Sequence, residues 1–311
     1  MTQPSFQEIG EAAEVLRQGG LVLMPTETVY GLAADATNPV AVAAVYAAKG
    51  RPSFNPLIAH VADIAAAGRL VALDGRAKAL AEAFWPGPLT LVAPALTDCP
   101  ICDLARAGLD SVAVRAPAHP AALALLEAFG GPVCAPSANR SGRPSPTTLS
   151  AAMEETGIAS GAAIEGGPCR VGLESTVVSV LDGPMRLLRP GGLSREQIEA
   201  VVGPLVEAQD DAARSPGRMT RHYAPRAPLR LDAEAPAPGE AYLAFGPWPT
   251  ANHVFNLSAA GDVDEAAHRL FAALREADRL NPTAIAVAPI PRHGLGEAIN
   301  DRLKRAAGFI G

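Results

Sequence analysis

The apolar positions of this chain change their period several times, and the changes divide it into elements. Phe6, Ile9, Ala13 and Leu16 recur at helical spacing and run into Gly19-Gly20, which predicts a helix ending there. The next run, LVLMP, is short and uniformly apolar, as a buried strand stopped by Pro25 would be. PTETVYGLAADA, from Pro25, reads as a turn crowded with polar residues between that strand and a helix. Asn38-Pro39 predicts an N-cap with proline at the first helical position, and VAVAAVYAAK should close at Gly50. NPLIAHV reads as a strand with Ile58 and His60 on one face and Leu57, Ala59 and Val61 on the other. SVAVRAP reads as another, with Ala113 and Arg115 opposite Val112 and Val114. Helices are expected over about 120–129, after Thr147 and from Ser194, where SREQ fits a capping box. Strands are expected at GPVCAP, AAIE, STVVSV and MRLLRP.

Strands and helices mix throughout residues 1–206, which therefore read as one α/β domain. Over 207–228 the texture changes to EAQDDAARSPGRMTRHYAPRAP, with no periodic apolar face, and this predicts a linker. Residues 229–311 then carry a strand near Tyr242, a helix over about 264–280, the strand AIAVAPI and a closing helix over about 295–307, a second, small α/β unit. In the first unit the polar motifs fall where apolar strands end, the place where open α/β sheets collect ligands.

Composition narrows the classes. A chain of 311 residues with 49% hydrophobic and 19% charged residues is an ordinary globular one, and a net charge of -6 argues against a whole-surface nucleic-acid binder. It holds only three lysines, Lys49, Lys78 and Lys304, against 23 arginines; codon bias explains the trend, yet it makes a lysine inside a polar motif stand out. Cys99 and Cys102 form an isolated C-x-x-C without a second pair, expected to be a reduced surface loop. The opening residues lack a basic start followed by an apolar stretch, so no signal peptide is expected and the cytoplasm is the expected compartment.

Familiar motifs are missing. There is no G-x-x-x-x-G-K-S/T, since GPCRVGLES has the glycine spacing without the lysine, and no G-x-G-x-x-G, H-E-x-x-H or G-x-S-x-G. What remains is distributed. KGRPSFNP brings Lys49, Arg51, Ser53 and Asn55 together at a helix end; a lysine there suits the helix dipole, but the arginine, serine and asparagine suit an anion. APSANRSGRPSP packs Ser137, Asn139, Arg140, Ser141, Arg143 and Ser145 into one loop, either a solvated turn or a hydroxyl-and-arginine phosphate cradle. Singly, His60, Arg115 and Glu174-Ser175-Thr176 are no more than strand residues.

Together these stretches resemble one family. PTETVYGLAADA, KGRPSFNPLIAHV, FWPGPLTLV, VAVRAPAHP, APSANRSG and GLESTVV with LLRPGG match, in order, the landmarks of the YrdC-domain threonylcarbamoyl-AMP synthases; SPGRMTRHYAP and GLGEAINDRLKRAA resemble the longer, two-domain type. The resemblance implies a large twisted mixed-sheet domain, a linker and a small Rossmann-like α/β domain. It implies a nucleotidyltransferase that makes threonylcarbamoyl-AMP and pyrophosphate from L-threonine, bicarbonate or CO2, and ATP with Mg²⁺. A tRNA threonylcarbamoyl transferase would take the product to an adenosine beside the anticodon. By motif, Thr28, His60, Arg115, the backbone at Ala135 and Ser175 should hold threonine. Arg51, Asn55, Ser111, Ser137, Ser145, Arg189 and Tyr223 should hold ATP, with Lys49 on the phosphates and Lys49 and Arg51 the catalytic cations. No protein-held metal is expected. The linker, with Arg218, Arg221, His222 and Tyr223, is expected to fold over the nucleotide. Two departures stand out: Arg218 intervenes before Met219, and Ala33 takes a position where the family commonly has glycine. Two rivals carry other chemistry. One is an RNA-binding module, which should show an extended basic stripe. The other is a carbamoyl-adenylate former of the hydrogenase-maturation kind.

Overall fold

The computed structural model describes residues 6–181, 183–207 and 222–308. Capping chemistry sets the helices of the first unit. α1 (Phe6–Arg17) buries Ile9, Ala13 and Leu16. α2 (Pro39–Lys49) starts where the Asn38 side chain accepts from the Val40 and Ala41 N–H groups, and ends at Gly50 with φ 58°. α3 (Ile64–Ala67) and α5 (Asp103–Arg106) are single turns, while α4 (Gly75–Phe84) is capped by Asp74. α6 spans Pro120–Phe129, α7 (Leu149–Thr156) is capped by Thr148, and α8 (Arg195–Val202) has the full Ser194/Gln197 capping box.

One expectation fails at the opening motif. GLAAD is not turn but strand β2 (Gly31–Asp35), antiparallel to β1 (Val22–Met24) with Val22 facing Ala33. It has neither alternation nor β-branched residues, so its pattern carries no strand signal; burial on both faces supplies it instead. Eight further strands join: β3 (Ile58–His60), β4 (Leu89–Pro94), β5 (Ser111–Arg115), β6 (Val133–Cys134), β7 (Ala162–Ala163), β8 (Thr176–Ser179), β9 (Arg186–Arg189) and β10 (Val206–Glu207). The sheet order is β10-β9-β8-β4-β5-β3-β6-β2-β1-β7, and it is mixed: β3 runs parallel to β5 and β4 to β8, while β4–β5, β3–β6 and β8–β9 are antiparallel.

Alternation sorts the central strands. Leu57, Ala59, Val61, Val112 and Val114 join the main core under α2, α4 and α8. Ile58, Ala113, Val177 and Leu188 form a small apolar patch on the opposite face. That second face is where the site lies, since His60 and Arg115 follow Ile58 and Ala113 by one strand period.

The second unit is a four-stranded, wholly parallel sheet of β11 (Leu229–Arg230), β12 (Ala241–Phe245), β13 (Val254–Ser258) and β14 (Ile285–Val287), in the order β11-β14-β12-β13. α9 (Val263–Arg279) and α10 (Gly296–Ala307) cover it. Its core of Leu243, Leu257, Leu270, Phe271 and Ile299 also takes in Val29 and Leu173 of the first unit, so one apolar cluster spans both. β10 begins the predicted linker with Glu207; most of that linker, including Arg218 and Arg221, lies outside the described residues. All four cysteines are free thiols, Cys99 and Cys102 half-buried and Cys134 and Cys169 buried. No helix among the described residues is long and apolar enough to cross a membrane.

The units touch backbone to backbone at Gly172. Its φ is +77°, and an added Cβ would stand 2.5 Å from the Cα of His268 on α9. Only glycine meets both demands. Gly172→Ala should lower stability by about 1–3 kcal/mol, read as an earlier urea midpoint. An unchanged midpoint would mean that α9 can retreat without cost.

Candidate active site

The cleft is built by strand ends meeting three loops. β3 and β5 run in register with His60 beside Arg115. The loop before β8 brings Glu174 and Ser175, β9 ends in Arg189, and the loop after β6 brings Ala135 and Ser137. Thr28 comes from the turn after β1, Arg51 from the end of α2, and His222 and Tyr223 from the approach to the second unit. Together these line a single cleft.

All five residues expected to hold threonine are on that wall: Thr28, His60, Arg115, Ala135 and Ser175. So are Arg51, Ser137, Arg189 and Tyr223 of the nucleotide set. Four expected residues stand behind it. The Lys49 ammonium is buried and donates to the backbone carbonyls of Ser137 and Asn139, bracing the loop that presents Ser137. The Ser145 hydroxyl donates to Glu174. Asn55 is buried, with its carbonyl accepting from the Tyr46 hydroxyl. Ser111 starts β5 with a buried hydroxyl that has no partner among the described residues.

Arg115 is the best-anchored cation. Its Nη2 donates to Glu27 Oε1 at 2.7 Å and its Nε to the Gly87 carbonyl at 3.2 Å, while Glu27 Oε2 accepts from the Ala118 N–H. Both side chains of this ion pair are only 4% exposed. Two of five guanidinium donors are thus engaged, and the pair fixes the plane of the rest. The Arg189 Nε and Nη2 both reach the Ser175 carbonyl, at 3.2 and 2.9 Å, and Nη2 also reaches the Ser175 hydroxyl. Ser175 in turn meets Thr90 at 2.7 Å. Arg51 donates to the Pro56 carbonyl at 3.2 Å, and its Nε has no partner among the described residues.

Burial dominates the electrostatics. It pulls the Arg51 guanidinium down to about 10, still charged at neutral pH. Burial, with Arg115 beside it, pulls His60 down to about 3, so the ring is neutral. His222 is driven well below the usual histidine range by burial and then by Arg51 and Lys49. Glu174 would be raised by burial alone, but Arg302 and Arg189 outweigh this and hold it below the usual carboxylate range.

Three polar groups of this site were not among the expected contacts: Glu27, Glu174 and Arg302. Arg302 comes from α10, is fully buried, donates from Nε to Glu174 Oε2 at 2.9 Å, and lies 5.1 Å from the Tyr223 ring centroid. A signal existed: Arg302 falls on the apolar stripe of Ala298, Ile299, Leu303 and Ala306, where an arginine needs a buried partner. Tyr223 adopts φ 62°, an uncommon conformation for a large side chain, with its ring centroid 4.0 Å from that of His222 and the two planes nearly perpendicular.

Residues 14–191 match the family model described as Telomere recombination, that of the Sua5, YciO and YrdC proteins, and residues 193–308 match the C-terminal domain of threonylcarbamoyl-AMP synthase. The chain belongs to the Sua5/YciO/YrdC family. The threonylcarbamoyl-AMP synthase of Bacillus subtilis is 40% identical over 326 aligned positions, covering 97% of this chain and 93% of the relative. That of Pyrococcus abyssi is 42% identical over 322 positions, covering 96% and 93%. The crystal structure of P. abyssi Sua5 complexed with L-threonine matches with a TM-score of 0.91 at 39% identity, covering 98% of this chain and 95% of that one. This family membership agrees with the two-unit architecture, a large mixed sheet followed by a small parallel one.

The depressed histidines set an acid limb. Folded, His60 stays neutral down to about 3, whereas the unfolded chain protonates near 6.5. Between those values the unfolded state binds more protons, so stability is present above about pH 6.5 and is lost as pH falls toward 3. The slope is up to roughly 1 kcal/mol per pH unit for each such histidine. His60→Gln should flatten this limb in urea melts taken between about pH 6.5 and about pH 4. An unaltered slope would show that His60 titrates normally.

Proposed function

We propose that this chain is an L-threonylcarbamoyl-AMP synthase, joining L-threonine, CO2 or bicarbonate, and ATP with release of pyrophosphate. The observation that carries it is the convergence of Thr28, His60, Arg115, Ala135 and Ser175 with Arg51, Ser137, Arg189 and Tyr223 on one cleft. The likeness to a Sua5 solved with L-threonine supports the amino-acid half of this reading.

Arg115, oriented by Glu27, is a fixed cation for the threonine carboxylate. A neutral His60 beside it offers a hydrogen-bonding edge without adding charge that would repel the amine. With a pKa near 3 it is a poor base at neutral pH, so the free amine is taken from solution equilibrium and kept neutral by a partly dry pocket. The amine attacks the carbon of CO2 and loses a proton, giving an N-carboxylate. That carboxylate oxygen attacks the α-phosphorus, and the bond to the bridging oxygen of pyrophosphate breaks. Negative charge gathers on phosphate oxygens, where Arg51 and Arg189 already stand as buried cations. No protein nucleophile is needed.

The described residues contain no group of three or more His, Cys, Asp or Glu placed to hold a metal. The one carboxylate on the cleft wall, Glu174, is already paired with Arg302. On this reading Mg²⁺ enters with ATP, bound by the substrate phosphates, as that ion commonly is. A tRNA threonylcarbamoyl transferase would consume the acyl-adenylate for an adenosine beside the anticodon. Against the RNA-binding rival, the cations here alternate with hydroxyls inside a cleft instead of forming a stripe.

Mixing the protein with MgATP, bicarbonate and threonine, and omitting each in turn, should release pyrophosphate only when all three are present. Release indifferent to threonine would overturn the reading. Tyr223 and His222 close one side of the cleft and keep water from the acyl-phosphate. Tyr223→Ala is therefore expected to lower the yield of acyl-adenylate per pyrophosphate released, measured by chromatography of both products. An unchanged ratio would remove Tyr223 from this role.

A further inference from the structure

The loop APSANRSGRPSP serves two cavities, and the proposed reaction uses only one. Its Ser137 faces the catalytic cleft, but Arg140 and Arg143 line a separate cleft at the seam between the two units. There they meet Arg226, just before the second unit, and Arg275 and Arg279 on its helix α9. Three carboxylates share this wall, Glu154, Glu155 and Asp278, which leaves the lining with a formal charge of +2.

The carboxylates do not use up the arginines. Glu155, with its side chain 3% exposed, accepts from three of them at once: Arg140 Nε at 3.4 Å, Arg143 Nε at 3.0 Å and Arg275 Nη1 at 2.9 Å. Burial alone would raise its carboxyl, yet Arg275 and Arg143 outweigh that and hold it low. One negative charge thus stands among three positive ones. Glu154 is taken by Arg279 at 2.8 Å. Asp278 accepts the backbone N–H groups of Arg226 and Ala227, and the Arg226 guanidinium has no acidic partner among the described residues. Arg275 is nine-tenths buried, and its Nε has no hydrogen-bond partner among the described residues. Five guanidinium groups converging on one cleft, with Arg275 the buried one, outnumber the carboxylates and suit a phosphate, because the planar fork matches phosphate oxygens and is more weakly hydrated than an ammonium.

We propose that this seam is a second anion site, which takes a small phosphate-bearing ligand of diphosphate size and bridges the two units. An extended RNA backbone is the poorer fit, since three carboxylates interrupt the basic surface and would face its phosphates. The position suggests a consequence: Arg226 follows Tyr223 by three residues, and Ala224 N–H donates to the Gly142 carbonyl at 2.7 Å in the same loop that carries Arg140. An anion held there ties the loop of the first unit to the segment that brings Tyr223 to the catalytic cleft.

The test is calorimetric titration of the full chain with pyrophosphate, without ATP or threonine. It needs no turnover, so it stands apart from the fate of the proposed reaction. Two classes of binding site are expected. Arg140→Gln with Arg226→Gln, both exposed positions, should weaken one class at least tenfold while threonine binding persists; Arg51→Met should remove the other. If the double variant melts early, Arg279→Gln, 60% exposed at its side chain, replaces it with the same expectation. A single class lost in Arg51→Met and untouched by the seam variants overturns the proposal. So does a seam variant that loses only affinity for tRNA and keeps its pyrophosphate isotherm.

Discussion

The buried ion pair between Glu174 and Arg302 holds the rest of this molecule in place. It joins the loop before β8, which carries Ser175, to α10 of the second unit through two side chains that are 0% and 8% exposed. Moving two charges out of water costs several kcal/mol each, and their attraction offsets this only where further groups complete the shell. Here they do: Ser145 donates to one Glu174 oxygen and Arg302 to the other, while Asp301 accepts from Arg302. A pair of apolar residues could fill the same volume at comparable stability. What it could not do is fix the angle of a carboxylate on a cleft wall or place a guanidinium against the Tyr223 ring.

The cleft follows from that fixation together with sheet register. Because β3 and β5 pair Ile58 with Ala113 and His60 with Arg115, one face presents apolar floor and polar wall in successive rows. The buried side-chain donors without partners among the described residues include Arg51 Nε, the Ser111 and Tyr223 hydroxyls and Arg302 Nη2, all on or behind the same wall. An unsatisfied buried donor costs about 1–3 kcal/mol in the folded chain. Such donors are tolerable where acceptor-rich ligands dock.

Local chemistry made much of this readable. Asn38-Pro39, Gly50 and the Ser194/Gln197 box set helix ends within a residue or so, and strand alternation alone put His60 with Ile58 and Arg115 with Ala113. Long-range pairing was not readable. Arg115 meets Glu27 across 88 residues and Arg302 meets Glu174 across 128, so no window of sequence holds both partners. β2 escaped for the complementary reason: GLAAD is small and buried on both faces, and such strands carry no period. The loop APSANRSGRPSP was legible as a cluster of arginines and hydroxyls but not as the lining of two cavities, since which residues share a wall depends on how α9 packs behind it.

Lys49 shows how composition and position combine. In a chain of 23 arginines and three lysines, this one is buried and points into the gap between the Ser137 and Asn139 carbonyls. A guanidinium is a broad planar fork and would push those carbonyls apart; a tapered ammonium with three donors seats between them. Burial, and then Arg51, pull its pKa well below the ordinary lysine value. The charges of Glu155 and Glu174 act against that pull, and an anion arriving near Arg51 would act in the same direction. The lysine shapes the cleft wall from behind: it braces the loop that presents Ser137.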